Sequence, residues 1–378
     1  MKQTVPLGRA AGIRVGVHWS VLVIVLLIGW LLSAQILPAM TPHQPTAAYW
    51  AAAVPCAAAF MAALLAHELA HSLVARRYGV PVTSITLWAL GGISELGREP
   101  PTARADLRIA VAGPAASLGT GLVSAGLAAA VRAGGGPGIA VAALAWLAAM
   151  NILLAAFNLL PGTPLDGGRI LRAYLWRRHG DRVRAAQSAA AAGRVLGAAF
   201  IAIGIGEILL RADIGGLWLA LIGMFVMSAA AAEANAETAA AALAGMRAGD
   251  VMTPDPDIGG TWMTVADFIG RIALASAQAG FPVVAPGGSL AGATGVSRLA
   301  RVPPASRAST TLGQILTPVP PAYLAAPGDP AAPLLGRPPL ADDLAAIVIS
   351  DGRITGIVTV TRLRQIIRRE ALRAQPAR

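Results

Sequence analysis

The sequence is poor in charged residues and in cysteine. Of its 378 residues only 13% are charged and 56% are hydrophobic, whereas a soluble globular protein carries about 25% charged residues. This shortage excludes a wholly soluble chain and predicts that most of it lies in a bilayer. The single cysteine, Cys56, stands within an apolar run, which excludes an intrachain disulfide and gives no indication of an oxidising compartment.

Acidic and aromatic residues are also scarce. The chain has 19 acidic against 30 basic residues, a net charge of +11, and only 5% of it is aromatic. A basic balance can indicate a nucleic-acid partner, but these basic residues are spread through short loops, without a basic helix or interleaved aromatic residues. We therefore expect no nucleic acid as a partner, because membrane topology explains the charge better.

Six apolar stretches are long enough to cross a membrane, since a spanning helix needs about 20 residues. They lie near residues 17–37, 48–75, 107–131, 139–160, 190–210 and 214–234. Most of the arginines between them fall in two loops, 76–106 and 161–189, which the positive-inside rule assigns to the cytoplasm. The pattern predicts a multi-pass protein of the plasma membrane with its N- and C-termini in the cytoplasm.

The chain changes character after about residue 240. Short β-branched runs, "LAAIVIS" and "RITGIVTV", are joined by the turn residues "SDGR" and precede the helical pattern "RLRQIIRRE". This order of strand, turn, strand and helix predicts a small soluble α/β module. The segment "GATGVSRL" at 292–299 aligns with "GIVTVTRL" at 356–363, so an internal repeat of about 64 residues predicts a tandem pair.

The segment "LLAHELAHSL", residues 64–73, puts three ionisable groups into the second apolar stretch. His67 and His71 lie on one face of a helix, because four residues make about one helical turn. Two imidazoles so placed can share one Zn²⁺, and Glu68 beside them can act as general base towards a water. The alternative is that these are polar groups packed against other helices. Ionisable groups are costly in hydrocarbon, which favours the functional interpretation.

A zinc hydrolase needs a third protein ligand and an open position for water. The best candidate is Asp166, in "NILLAAFNLLPGTPLDGGRILRAYLW", residues 151–176, where proline and glycine surround it at the membrane edge. Irregular backbone at that depth is tolerated where it is buried in protein or lines a wet cavity. Asp166 could equally cap a helix that begins near Gly167, and from these residues alone the cap is the better interpretation.

Together, "AHELAHSL" and "FNLLPGTPLDGGR" closely resemble the site-2 protease family of intramembrane zinc metalloproteases, peptidase family M50. Six spans followed by a pair of cystathionine-β-synthase (CBS) modules resemble its sporulation-protease-like branch. The resemblance implies a mainly α, polytopic membrane protein with a small membrane-associated β element, followed by a soluble α/β CBS pair. It implies a metalloprotease domain over residues 1–240 and a cytoplasmic regulatory domain over residues 241–378.

The resemblance also implies roles for individual residues. It makes His67, His71 and Asp166 the ligands of one Zn²⁺ per chain, with Glu68 activating the hydrolytic water. It assigns to Asn158 the positioning of the substrate or the stabilisation of the oxyanion. The alternative for Asn158 is a C-terminal cap of the fourth span.

The stretch "TSITLWALGGISELG", residues 83–97, is rich in β-formers and interrupted by Gly91 and Gly92. It resembles the membrane-associated sheet of the family, whose edge could receive an unwound substrate as an added strand. A plain cytoplasmic hairpin without a role in substrate binding is the alternative. The expected partners are therefore the lipid bilayer and single-span transmembrane protein substrates.

CBS pairs commonly bind adenosine nucleotides, with an aspartate on the ribose hydroxyls. At the equivalent positions this chain has Arg298 and Arg362, which argues against an adenine nucleotide and leaves the nucleotide-binding residues unknown. We expect the tail to be regulatory or to form a homodimer through the CBS modules.

The pattern as a whole predicts a zinc metalloendopeptidase that carries out regulated intramembrane proteolysis. The alternatives are a catalytically inactive membrane scaffold and a metal-handling transporter. A transporter would require polar residues in several spans, which the sequence does not have, and the presence of Glu68 argues against an inactive scaffold.

Overall fold

The computed structural model describes residues 4–88, 91–96, 99–211 and 215–374. It divides into two compact units, Met1–Asn235 and Ala236–Arg378. The first unit is mainly helical and the second contains two small sheets with short helices.

Seven helices build most of the described part of the first unit. In chain order they are α1 (Ser20–Met40, with a π-helical turn at Leu32–Ile36), α2 (Thr46–Arg77), α3 (Ala103–Ala133), α4 (Gly138–Asn158), α5 (Asp166–His179), α6 (Arg182–Arg211) and α7 (Gly215–Ala242). All except α5 are long and apolar enough to cross a membrane, which makes six candidate spans among the described residues. The predicted number of spans is confirmed, and the chain is a multi-pass membrane protein.

The helices differ most from the predicted boundaries after residue 160, where α7 also continues to Ala242 instead of ending near residue 234. Residues 161–189 were expected to form a loop, but they contain α5, and α6 begins at Arg182 rather than near residue 190. Hydropathy did not indicate helix α5, because its polar and basic composition is also typical of an exposed loop between two spans. Its last turn carries Arg177, Arg178 and His179, where positive charge complements the helix dipole.

A four-stranded sheet completes the first unit. Its strands are β1 (Val5–Ala10), β2 (Ile13–Val17), β3 (Val82–Trp88) and β4 (Gly91–Leu96). They lie in chain order, with β2 and β3 parallel and the other two pairs antiparallel, so that β4 is an edge strand. The predicted β element over residues 83–97 is confirmed for its described part, and residues 89, 90 and 97 lie outside the described residues.

Glycines allow α6 and α7 to approach closely. A Cβ atom at Gly197 would come within 2.6 Å of the carbonyl oxygen of Gly223, and one at Gly204 within 2.3 Å of that of Gly216. Small residues at such contacts are typical of membrane helices, where close van der Waals packing replaces the hydrophobic effect.

The second unit consists of short elements. They are α8 (Ala248–Val251), β5 (Thr253–Pro254), β6 (Gly259–Gly260), α9 (Val265–Phe268), β7 (Gly280–Val284), β8 (Leu290–Gly295), α10 (Val296–Ala300), α11 (Leu312–Ile315), β9 (Leu324–Ala325), α12 (Ala332–Leu335), β10 (Leu344–Ser350), β11 (Arg353–Thr359) and α13 (Val360–Ala374). One sheet has the order β5-β11-β10-β9 and the other the order β6-β7-β8.

The two segments that align in the sequence have matching structures. Each lies where an antiparallel hairpin, β7–β8 or β10–β11, runs directly into a helix. Neighbouring aspartates cap the two helices: Asp342 accepts a hydrogen bond from the Ser297 amide at 2.8 Å, and Asp343 accepts one from the Thr361 amide at 3.1 Å. The predicted strand–turn–strand–helix order is therefore confirmed.

Candidate metal centre

His67 and His71 lie in the last third of α2, on the face that packs against α3. Both are buried, with 3% and 7% of their surface exposed. At about 1.5 Å per residue, a 32-residue helix is some 48 Å long, well beyond the hydrocarbon thickness of about 30 Å. Both histidines therefore lie between the middle of α2 and its C-terminal end, and His71 is closer to the end.

Asp166 approaches both histidines from 95 residues away along the chain. Its Oδ2 atom lies 3.3 Å from His67 Nε2 and 3.1 Å from His71 Nε2, and the two Nε2 atoms are 3.1 Å apart. The three residues are all buried and are the only group in the described ranges that could hold a metal ion by this geometry. The structure thus brings together the three predicted ligands.

These separations fit zinc. With ligand distances of about 2.0–2.2 Å, two donors on a tetrahedral ion lie about 3.3 Å apart. The three observed separations, 3.1 to 3.3 Å, match that spacing, so one ion could bind all three atoms with little rearrangement. Two imidazoles and one carboxylate also form a common donor set for catalytic zinc, which leaves the fourth position open.

Both imidazole rings are oriented by a contact at Nδ1, the ring nitrogen that does not face Asp166. His71 Nδ1 lies 2.6 Å from the carbonyl oxygen of Ile109, and His67 Nδ1 lies 2.9 Å from Ser117 Oγ. A carbonyl can only accept, so Nδ1 of His71 carries a proton, and the lone pair of Nε2 is the one that the neutral ring offers to a metal. The sequence analysis did not predict either Ile109 or Ser117 as a partner of the histidines. The one available signal was that Ser117 is a polar residue within the third apolar stretch.

The α3 helix leaves room for the metal ligands at Gly113. A Cβ atom there would lie 2.1 Å from His71 Nε2 and 2.6 Å from His67 Nε2. Any larger residue would therefore occupy the space where the two donor atoms converge.

Asp166 is the first residue of α5, which follows the turn Leu159–Leu165. Leu165 holds the N-cap position without a side-chain bond, so the alternative assignment of Asp166 as the cap is wrong. Burial alone would raise the pKa of the Asp166 carboxyl, but the hydrogen bonds and charge of His67 and His71 lower it to about 2. The carboxylate is therefore ionised at neutral pH and available as a ligand.

A cavity of about 460 Å³ opens beside the three ligands. Glu68 and Asn158 line it, as do Gly91 and Gly92 of the β-sheet. A Cβ atom at Gly92 would lie 2.3 Å from Glu68 Cγ, so the backbone of β4 passes directly over the Glu68 side chain. The Asn158 side chain donates to the Leu154 carbonyl at 3.0 Å within the last turn of α4, whose C-cap residue is Leu159, and Asn158 also lines the cavity.

Sequence comparison identifies the family. The model described as peptidase family M50 matches residues 55–134 and 137–203. The protein named "Putative zinc metalloprotease Rip3" from Mycobacterium tuberculosis is 44% identical over 368 residues, 97% of this chain and 93% of its own length. The chain belongs to peptidase family M50. The predicted family is confirmed, and the predicted enzyme class and zinc cofactor agree with the converging ligands of this M50 peptidase.

Two solved structures are similar to separate parts of this M50 peptidase. A Site-2 Protease from Methanocaldococcus jannaschii has 27% sequence identity and covers 61% of this chain and 94% of its own, with a TM-score of 0.41. The CBS domain of a bacterial CNNM/CorC family Mg²⁺ transporter in complex with ATP has 17% identity. It covers 35% of this chain and 94% of its own, with a TM-score of 0.29.

Replacement of Gly113 by alanine is expected to weaken zinc binding by this M50 peptidase. The added methyl group would displace the two Nε2 atoms, so we expect an effect at least as large as the roughly 10- to 100-fold loss caused by removing an outer hydrogen-bond partner. Zinc retained after dialysis against a graded series of chelator concentrations measures it. Gly119→Ala in the same helix is the control, because no atom lies within 4 Å of its Cβ position. Equal retention by the two variants would contradict the prediction.

A buried ion pair joins α3 to the helix that carries Asp166. Arg172 donates to both carboxylate oxygens of Asp106, with Nε at 2.9 Å from Oδ2 and Nη2 at 3.0 Å from Oδ1. Glu233 of α7 lies 3.4 Å from Arg172 Nη1, and Arg169, which lines the metal cavity, lies 3.4 Å from Asp106 Oδ1. The sequence analysis counted these arginines only as loop charges. Their pairing fixes α5 against α3, and with it the direction from which Asp166 approaches the histidines.

Asp106→Ala is expected to destabilise the first unit by about 3–5 kcal/mol, the usual cost of leaving a buried charge without its partner. Reversible unfolding in mixed micelles measures the change. Asp181→Ala is the matched control, because Asp181 pairs with Arg184 at the surface and accepts a hydrogen bond from its backbone amide, contributions of about 0–1 and about 1 kcal/mol. A loss below 1 kcal/mol for Asp106→Ala would show that the buried pair does not hold α5.

Proposed function

We propose that this M50 peptidase is an intramembrane zinc endopeptidase that hydrolyses peptide bonds of single-span transmembrane substrates. The observation that carries the proposal is the convergence of His67 and His71, which lie beside Glu68 on the candidate spanning helix α2, with Asp166 at the start of α5. Ionisable groups within a membrane-spanning helix cost free energy, and they are usually retained because they have a function. The cavity beside them, of about 460 Å³, has room for water next to the three ligands and Glu68.

In the proposed reaction, Glu68 is the general base and later the general acid. Zinc, when bound to His67, His71 and Asp166, supplies Lewis-acid polarisation and activation of water. Glu68 accepts a proton from the attacking water and delivers it to the leaving amine. Asn158 keeps one amide hydrogen free of its bond to Leu154 and can direct it to the substrate carbonyl or the oxyanion.

The edge strand β4 is the proposed docking site for the substrate. The scissile bond of a transmembrane helix is shielded by helical hydrogen bonds and must first become extended. Strand addition to an exposed sheet edge provides the backbone hydrogen bonds of an extended segment. Because the backbone at Gly92 passes over Glu68, a strand added beside β4 would run close to the general base.

We assign residues 1–240 to the protease domain and residues 241–378 to a cytoplasmic CBS-like regulatory domain. The repeated hairpin-to-helix units support a tandem pair, which can regulate the protease or join two chains as a homodimer. The distribution of arginine supports cytoplasmic termini in a plasma-membrane protein. Arg298 and Arg362, at the start of α10 and α13, replace the acidic residue on which adenine-nucleotide binding usually depends.

The test is cleavage of a model single-span protein co-reconstituted with the full chain in liposomes. Cleavage within the membrane segment, located by product mass, is expected in the zinc-loaded protein. It should be lost after chelation and restored by added zinc. Products that arise only outside the membrane segment would contradict intramembrane proteolysis. If no cleavage occurs but zinc moves across the membrane, the result would support the metal-handling transporter. If neither cleavage nor zinc transport occurs, it would support the inactive scaffold.

A further inference from the structure

A second groove adjoins the turn that positions Asp166. It has a volume of about 370 Å³ and is lined by the start of α3, by residues 159 and 161 of the turn, and by α5. Its walls are mainly apolar, with Leu107 from α3 and Ile170 and Leu171 from α5. No residue lines both this groove and the metal cavity, although Gly167 of the groove is the neighbour of Asp166.

Two arginines lie at this groove without a partner. Arg104, the second residue of α3, and Arg177, in the last turn of α5, both line it and are exposed. Within the described ranges neither side chain forms a hydrogen bond or an ion pair. Arg169 and Arg172 of the same helix differ, because they bond to Asp106. Apolar walls and two open guanidinium groups therefore occur together at the end of a membrane-spanning helix.

We propose that the groove binds an anionic phospholipid. An acyl chain would cover Leu107, Ile170 and Leu171, and the phosphate would accept hydrogen bonds from Arg104 and Arg177. A free phosphate would leave the apolar walls exposed, whereas the phosphate of a zwitterionic lipid is already balanced by its own ammonium group and would neutralise the two arginines less well. Only an amphiphile with a negative head group satisfies both parts of the site.

The position of the groove connects lipid binding with the metal centre. Leu159 and Gly167 line the groove, and their neighbours Asn158 and Asp166 line the metal cavity. A lipid packed here would contact the turn between α4 and α5 at Leu159 and Pro161 and would support it. We therefore expect an anionic lipid to raise the thermal stability of the first unit, and this effect requires no peptidase activity.

The experiment uses the full chain in an uncharged detergent, with dioleoylphosphatidylglycerol or dioleoylphosphatidylcholine added. Native mass spectrometry counts bound lipids, and thermal unfolding measures their effect on stability. We expect selective, saturable binding of phosphatidylglycerol, and Arg104→Ala/Arg177→Ala should weaken it about 30-fold, since each basic residue contributes about 1 kcal/mol. Leu171→Trp, which fills the groove, should also reduce binding while both arginines remain.

The matched control is Arg132→Ala/Arg211→Ala, which removes two exposed arginines from the last turns of α3 and α6. It should bind phosphatidylglycerol like the wild type. If both double variants lost phosphatidylglycerol binding equally, the binding would be due to general attraction by net charge, and the proposal would be overturned. Equal binding of soluble glycerol phosphate would indicate an anion site instead, and loss of a dimer with unchanged lipid binding would assign the groove to a second copy. Because no outcome depends on cleavage, failure of this proposal is distinguishable from failure of the proposed protease activity.

Discussion

Glu68→Gln is expected to lower the rate of peptide hydrolysis by about 100- to 10,000-fold, the usual contribution of a general acid–base residue. Glutamine keeps the size and most of the polarity of the side chain but can neither accept the proton of the attacking water nor protonate the leaving amine. It is not one of the three converging ligands, so the zinc content should stay near one per chain. Cleavage of the reconstituted substrate and metal analysis of the same preparation measure the two effects.

The control for this variant is Glu207→Gln, which changes a carboxyl in another membrane-spanning helix, α6, away from the cavity residues. It should cleave at the wild-type rate. Equal cleavage by the wild type and by Glu68→Gln would eliminate the proposed mechanism. A loss of zinc that parallels the loss of activity would instead make Glu68 a metal-binding or structural residue.

Asp166→Ala is expected to abolish stable zinc binding, and with it hydrolysis. The substitution leaves two imidazoles and removes the only carboxylate among the converging donors of the described structure. We expect the fall in zinc affinity to exceed the roughly 10- to 100-fold caused by changing an outer hydrogen-bond partner. Zinc retained after dialysis against a chelator provides the measurement, which is independent of activity.

Asp181→Ala is the matched control for this prediction, since it removes an exposed aspartate close to the start of α6. Its zinc content should remain that of the wild type. Thermal unfolding of both metal-free proteins separates loss of the ligand from loss of the fold. If folded Asp166→Ala kept a full complement of zinc, the ligand assignment would be wrong.

Local spacing was enough to predict two of the three metal ligands and the general base beside them. His67 and His71 had to share a helical face because they are one turn apart, and Glu68 had to lie next to them. Their position in an apolar stretch made a functional role the better interpretation. Asp166 was different, because the local pattern favoured a helix cap. Only the family resemblance made it a ligand in advance, and the structure then brought its carboxylate to within 3.3 Å of both rings.

The sequence by itself determined that the chain is a membrane protein with six apolar helices, a paired histidine motif and a repeated α/β tail. Only the tertiary structure decided that Ile109 and Ser117 orient the imidazoles, that Gly113 makes room for them, and that Arg172 is bound to Asp106. The reason is physical: lipid is as apolar as the interior of a helix bundle, so hydrophobic periodicity does not show which face of a spanning helix meets protein. That information is carried by contacts between residues far apart in the chain, and it exists only once the helices have packed.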